Sequence, residues 1–293
     1  MTQPPTHRTS TLALPQPTTP ARRGVLAFLL IAFGIAWTGM IGCPLLGMSI
    51  VNPLVQLSFA FAPAIAAFIV RRWVTGEGFA DAGLAPRLRV SRSSYLQAWL
   101  VPAVLVVATL AVAAGIGWWE PGLAPLDEVV PGLPGWAFVT ALLLVVPLLA
   151  PLYWGEEFGW TGYLRMRLFP GRPLPATLVT GVVWAIWHYP LAFVGYIHFA
   201  VVPLGLLIWT ISFTAQQVLL SWLRIRSGSI WPTSLAHAGN NMVLSLLTGD
   251  VLMAGRLDDT AHTLVMAVPT AALALWIIAT GRLATGHRPV GPR

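Results

Sequence analysis

Few side chains in this chain could do chemistry inside its apolar stretches, and they fall in three short segments. "LYWGEEFGWTGYLRMR" (residues 152–167) carries Glu156 and Glu157, "VVWAIWHYP" carries Trp184 and His188, and "SLAHAGNNMV" carries His237 and Asn241. Residues four apart share a helix face, whereas adjacent residues diverge by about 100°. Glu156 and Glu157 therefore point different ways, one toward a reaction centre and the other toward a supporting shell. Trp184 and His188 share a face, so the indole can pack on the imidazole, and His237 and Asn241 share another. Three helices can thus offer a carboxylate, two imidazoles and a carboxamide to one interior point.

That set suits amide hydrolysis. A carboxylate takes a proton from water, a histidine holds that water or passes a proton to the leaving amine, and His with Asn donates to the developing oxyanion. Glu156, His188 and His237 could also ligate Zn2+, although the H-E-x-x-H signature of zinc proteases is absent. A metal-dependent and a metal-free mechanism both stay open here. Taken singly, each group also has a purely structural reading. An acidic pair near Arg165 can be a solvated helix end, a histidine beside tryptophan can be packing, and an H-x-x-x-N pair can tie helices together. Pro190 reads as a kink, and His198 and His262 read as interfacial residues. The 14 tryptophans suit interfacial belts and packing rather than a site.

The elements that must hold these groups are transmembrane helices. Of 293 residues, 56% are hydrophobic and 9% charged, against about 25% charged in a soluble domain. Apolar runs near 25–42, 52–70, 95–117, 136–155, 176–194, 200–222, 231–249 and 261–281 predict an all-α, polytopic bundle of about eight spans. With that number every arginine except Arg256 falls on one side of the membrane, which the positive-inside rule makes cytoplasmic, together with both termini. The expected location is a cell membrane. The net charge of +7 then reports orientation and attraction to anionic lipid, so the partners expected are the bilayer and a peptide or protein substrate, not nucleic acid.

Cys43 is the single cysteine, which excludes an internal disulfide and a Cys-rich metal site. Residues 1–21 read as a disordered cytoplasmic tail, 22–284 as a membrane domain with its chemistry at about 136–249, and 285–293 as a second tail. Depth poses a difficulty. If span four ends at 155, Glu156 lies at the cytoplasmic end, as does His237, while His188 lies about a dozen residues into span five, nearly 20 Å deep.

The ordered segments resemble the CPBP family, the CAAX proteases and bacteriocin-processing enzymes, which includes type II CAAX prenyl endopeptidases and lysostaphin-resistance-like proteins. Its pattern is EExxxR, then aromatic-xxx-H, then HxxxN or HxxxD on successive membrane helices. "EEFGWTGYL", "WAIWH" and "HAGNN" match it in order and spacing. The resemblance implies an intramembrane endopeptidase, glutamate- or metal-dependent, with Glu156 as general base, His188 helping to activate water, and His237 with Asn241 stabilising the oxyanion. One position departs from the pattern: Thr161 stands where it has arginine, which predicts a loosely held Glu157 and low activity. Arg165 is one turn further along that face and reaches Glu157 only if the helix bends, as Gly159 and Gly162 allow. Two rival classes follow from the same residues. One is a weakened or inactive relative that binds membrane peptides or confers immunity, and the other is a small-solute transporter using the buried carboxylates.

Overall fold

The computed structural model describes residues 19–122, 124–254 and 257–284. Among these residues the only regular structure is helical. The helices are α1 (Thr19–Leu45), α2 (Pro53–Ala60), α3 (Ala62–Ile69), α4 (Arg92–Gly115), α5 (Gly135–Gly159), α6 (Arg165–Arg167), α7 (Pro173–His188), α8 (Val202–Ser227), α9 (Trp231–Gly239), α10 (Leu246–Met253) and α11 (Asp259–Ala279). The tail expected over 1–21 is already helical from Thr19, the first residue of α1. Its remainder lies outside the described residues, as do the tail over 285–293 and Arg8, Arg256, Arg288 and Arg293.

Six segments are long and apolar enough to cross a membrane: Arg22–Leu45, Pro53–Val74, Arg92–Gly115, Gly135–Arg167, Val202–Ser227 and Asp259–Ala279. The chain is a multi-pass membrane protein. The other two expected spans are less regular. α7 has 16 residues, about 24 Å of rise, short of the roughly 30 Å hydrocarbon core. The run from α9 to α10 is interrupted by a π turn and carries Thr233, Ser234, His237, Asn240 and Asn241. These two segments are the ones that hold the site histidines, His188 at the end of α7 and His237 within α9.

Three helices widen into π turns: Val70–Val74 after α3, Trp160–Leu164 after α5, and Asn240–Ser245 after α9. Such turns occur frequently at functional sites. The second carries α5 directly into α6, so span four ends at Arg167 rather than near 155. Glu156 then lies about 11 residues, or ~16 Å, from the arginine-rich end. This brings it toward the depth of His188, which closes α7, and removes most of the expected mismatch.

α5 packs against α3 and α9, α9 against α4, and α7 against α8, which in turn packs on α11. Two glycines set the approach of the site helices. A Cβ at Gly159 would run into the Pro63 ring and backbone, and one at Gly239 would come within 2.6 Å of Pro102 Cγ. Small residues at such crossings let membrane helices come close enough for dispersion to hold them. His262, expected at an interface, instead lies buried between α10 and α11, with a ring nitrogen 2.9 Å from Thr248 Oγ1.

Between α3 and α4 the chain crosses the arginine-rich end of the bundle as a strap. Asp81 accepts from Arg71 Nη1 and Arg167 Nη1, both at 2.7 Å, and Glu77 pairs with Arg167 at 2.9 Å. Arg71, fully buried, also donates to the carbonyls of Gly78 and Gly162, each at 2.8 Å. Trp231 Nε1 donates to Leu84 O at 2.8 Å and Ser229 Oγ to Ala85 O at 2.7 Å. Partial burial pushes the Asp81 carboxyl up, but Arg71 and Arg167 outweigh it and hold Asp81 below the ordinary carboxylate range.

Candidate active site

Glu156 and Glu157 leave α5 in different directions, as their adjacency on a helix requires. Glu156 Oε2 accepts from the Trp184 indole at 2.7 Å and from the Trp160 indole at 3.3 Å. Among the described residues Glu156 Oε1 has no protein partner, and it is not among the sealed polar atoms of the interior. One oxygen is therefore clamped while the other is not. Glu157, with no exposed surface, is held at both oxygens. Oε1 lies 3.0 Å from His237 Nδ1, and Oε2 lies 3.0 Å from Thr161 Oγ1.

Trp184 is the centre around which the other groups gather. Its ring centroid is 5.8 Å from that of His188 and 5.0 Å from that of His237, edge-on to both. The His188 ring also stacks on Phe213 at 4.3 Å. His188 Nδ1 lies 2.9 Å from the Trp184 carbonyl, which can only accept, so the proton sits on Nδ1 and Nε2 is left with a lone pair. His237 is fixed in the same fashion, by a carboxylate instead of a carbonyl. Both imidazoles are thus anchored through Nδ1, with no protein partner at Nε2 among the described residues. Tyr153, one turn before Glu157, packs its ring 4.9 Å from that of His237, and its hydroxyl faces Asn241.

The structure brings Glu156, Glu157, His188 and His237 together around one indole, with Asn241 at the edge of the group beside Tyr153. Several details differ from expectation. The carboxylate that touches a histidine is Glu157, not Glu156. Glu157 is not loose, because the Thr161 hydroxyl supplies the donor an arginine would have supplied, and Thr161 also lies 2.9 Å from the Glu157 carbonyl. Arg165 does not take the missing role: even after the π turn it makes no ion pair with Glu157 among the described residues. Three tryptophans expected in belts or packing, Trp160, Trp184 and Trp187, are fully buried, and two of them bind the glutamate. Trp160 at i+4 from Glu156 was legible as a spacing. The donation from Trp184, 28 residues away, was not, and neither was the place of Tyr153.

No three His, Cys, Asp or Glu side chains among the described residues gather closely enough to hold a metal ion. Glu156, His188 and His237 therefore do not form a zinc ligand set as they stand.

Two comparisons bear on this geometry. No curated protein matches the chain. Residues 133–243 match the family model described as type II CAAX prenyl endopeptidase Rce1-like, and that range spans every group just described, from Tyr153 to Asn241. Over residues 133–243 the chain is therefore similar to the Rce1-like type II CAAX prenyl endopeptidases, in agreement with the resemblance that its three motifs carry.

Proposed function

We propose that this protein is an intramembrane endopeptidase that hydrolyses membrane-associated or lipid-linked peptides with water activated by Glu156. The observation that carries the reading is the asymmetry of that carboxylate. Its Oε2 is fixed by two indole N–H groups, and its Oε1 is free to take a proton from water. His188 Nε2 accepts the second hydrogen of the same water and so aims its lone pair. Attack on the peptide carbonyl places negative charge on oxygen. His237, as an imidazolium braced by Glu157, donates Nε2–H to it, and Asn241 adds an amide N–H. Collapse of the tetrahedral species breaks the C–N bond. The proton held by Glu156 passes to the departing nitrogen, leaving an amine, a carboxylic acid that gives up its remaining proton to that amine or to water, and an ionised Glu156 ready for another cycle.

The segregation of arginine supports an orientation with both termini and the strap on the cytoplasmic side. Thiol labelling from outside the cell tests it: labelling at position 77 in preference to 120 would reverse the assignment. For the chemistry, purified full-length protein in vesicles is assayed on lipid-linked peptides. Cleavage is expected from the parent and lost in Glu156→Gln and His188→Ala, each checked for an unchanged unfolding temperature. Equal cleavage by folded Glu156→Gln would overturn the mechanism.

A further inference from the structure

The arginine-rich end holds more guanidinium charge than its acids answer. Asp81 and Glu77 are taken by Arg71 and Arg167. Arg165 and Arg224 stand outside these pairs although they are 7% and 6% exposed. Arg165 lies in α6, the last turn of the span Gly135–Arg167, and donates Nη2 to Met166 Sδ at 3.1 Å. Arg224 lies in the last turn of α8 and donates Nη2 to the Asp81 carbonyl at 2.8 Å. The Nε of each is sealed from solvent with no acceptor. The Nη1 of each has no protein acceptor among the described residues either, but neither Nη1 is among the sealed atoms. The charged neighbour of Arg165 is Arg224 itself, while Arg224 also senses Asp81, Arg87 and Arg71.

Two nearly buried cations at the same end of the bundle, Arg165 within reach of the Arg224 charge, are costly unless an anion lies beside them. A guanidinium fork matches the tetrahedral oxygens of phosphate. Both arginines close helices long and apolar enough to cross a membrane, and basic pockets between such helices bind headgroups. We propose that Arg165 and Arg224 together form a binding site for the phosphate of an anionic phospholipid headgroup, with the two open Nη1 atoms as its first donors. The site is separate from the glutamate–histidine cluster and does not depend on proteolysis.

The test uses full-length protein in detergent, with the unfolding temperature followed against added dioleoyl-phosphatidylglycerol, dioleoylglycerol or inorganic phosphate. The phospholipid is expected to raise the midpoint, and the other two are not. Arg165→Gln and Arg224→Gln are expected to weaken the apparent affinity at least tenfold, while Arg72→Gln, an exposed arginine at the same end, leaves it unchanged. Arg165→Lys keeps the charge without the fork and falls between. Without lipid, Arg165→Gln is expected to be no less stable than the parent, because an unanswered charge has been removed. The inference fails if dioleoylglycerol stabilises equally, if inorganic phosphate alone reproduces the shift, if Arg72→Gln loses as much as Arg165→Gln, or if the Gln variants keep the full response.

Discussion

Replacing Trp184 by phenylalanine isolates the clamp on Glu156. The substitution keeps an aromatic ring beside His188, His237 and Phe213 and removes the N–H that donates to Glu156 Oε2 at 2.7 Å. A hydrogen bond to a charged group contributes about 1.5–3 kcal/mol. At about 1.36 kcal/mol per decade, losing it from the reacting geometry predicts a fall in kcat/KM of roughly 10- to 150-fold. The Trp160 indole, at 3.3 Å, is the longer and weaker donor, so Trp160→Phe should cost less, within about tenfold. Trp184 is fully buried, and the smaller ring also leaves a cavity, with a stability loss on the order of 1–3 kcal/mol. The two effects separate in the assay: unfolding temperature reads the cavity, and kcat/KM measured well below that temperature reads the clamp. If Trp184→Phe keeps kcat/KM within threefold of the parent, or if Trp160→Phe is the more damaging change, the indole does not hold the base and the reasoning fails.

Thr161→Val preserves shape in a fully buried position and leaves Glu157 Oε2 without its donor. Activity should drop by about tenfold or more, Thr161→Ser should retain most of it, and equal activity in both variants would show that Glu157 does not need the hydroxyl. Asp81→Asn removes the carboxylate that answers Arg71 and Arg167 in the strap. Because Asp81 is about half exposed, screening reduces the loss to roughly 1–2 kcal/mol, read by denaturant titration in detergent. The folded-state acidity of Asp81 is shifted downward. Its contribution is therefore complete above the unfolded-state value of about 3.9 and is lost as pH falls through the lower folded value. The gap between Asp81→Asn and the parent should hold from neutral pH down to about 4 and shrink as pH falls further, through the lower folded value, and a gap lost already above about pH 5 would contradict the assignment. Gly159→Ala drives a methyl into Pro63 and should lower the unfolding temperature by an amount corresponding to about 1–3 kcal/mol, unlike Gly34→Ala, where a Cβ meets nothing within 4 Å.

The parts of this molecule that were legible in sequence are those governed by local rules. Apolar run lengths disclosed a membrane bundle, and the 100° step between Glu156 and Glu157 disclosed that they would do different things. The spacing of Trp184 to His188 placed indole and imidazole in contact. What escaped depended on pairings distant along the chain or on a change of helical pitch. Glu157 to His237 spans 80 positions and Trp184 to Glu156 spans 28, and no periodicity encodes either. The end of span four was misjudged because "EEFGWTGYL" looks too polar and glycine-rich to continue a membrane helix, yet its acids are satisfied within the bundle and its glycines serve close packing. The strap was invisible for a related reason. Residues 75–91 read as an ordinary polar loop until Asp81 is seen to answer buried Arg71.

The π turn at Trp160–Leu164 has a meaning for how this protein can change. A π turn is an α-helix with one residue too many, so deleting one residue there would restore α geometry without breaking the rod. The wide turn absorbs its extra residue locally, so everything beyond would keep its register, whereas a deletion from a regular turn of α5 would rotate the rest by about 100° and shift it by about 1.5 Å. A deletion of that second kind would take Gly162 from its station opposite Arg71 and move Arg165 and Arg167 off the surfaces they address. The coupling between the glutamate-bearing end of this helix and its arginine-rich end is thus written in a count of residues as well as in their kinds. A single deletion in the regular helix uncouples them, and one within the π turn does not.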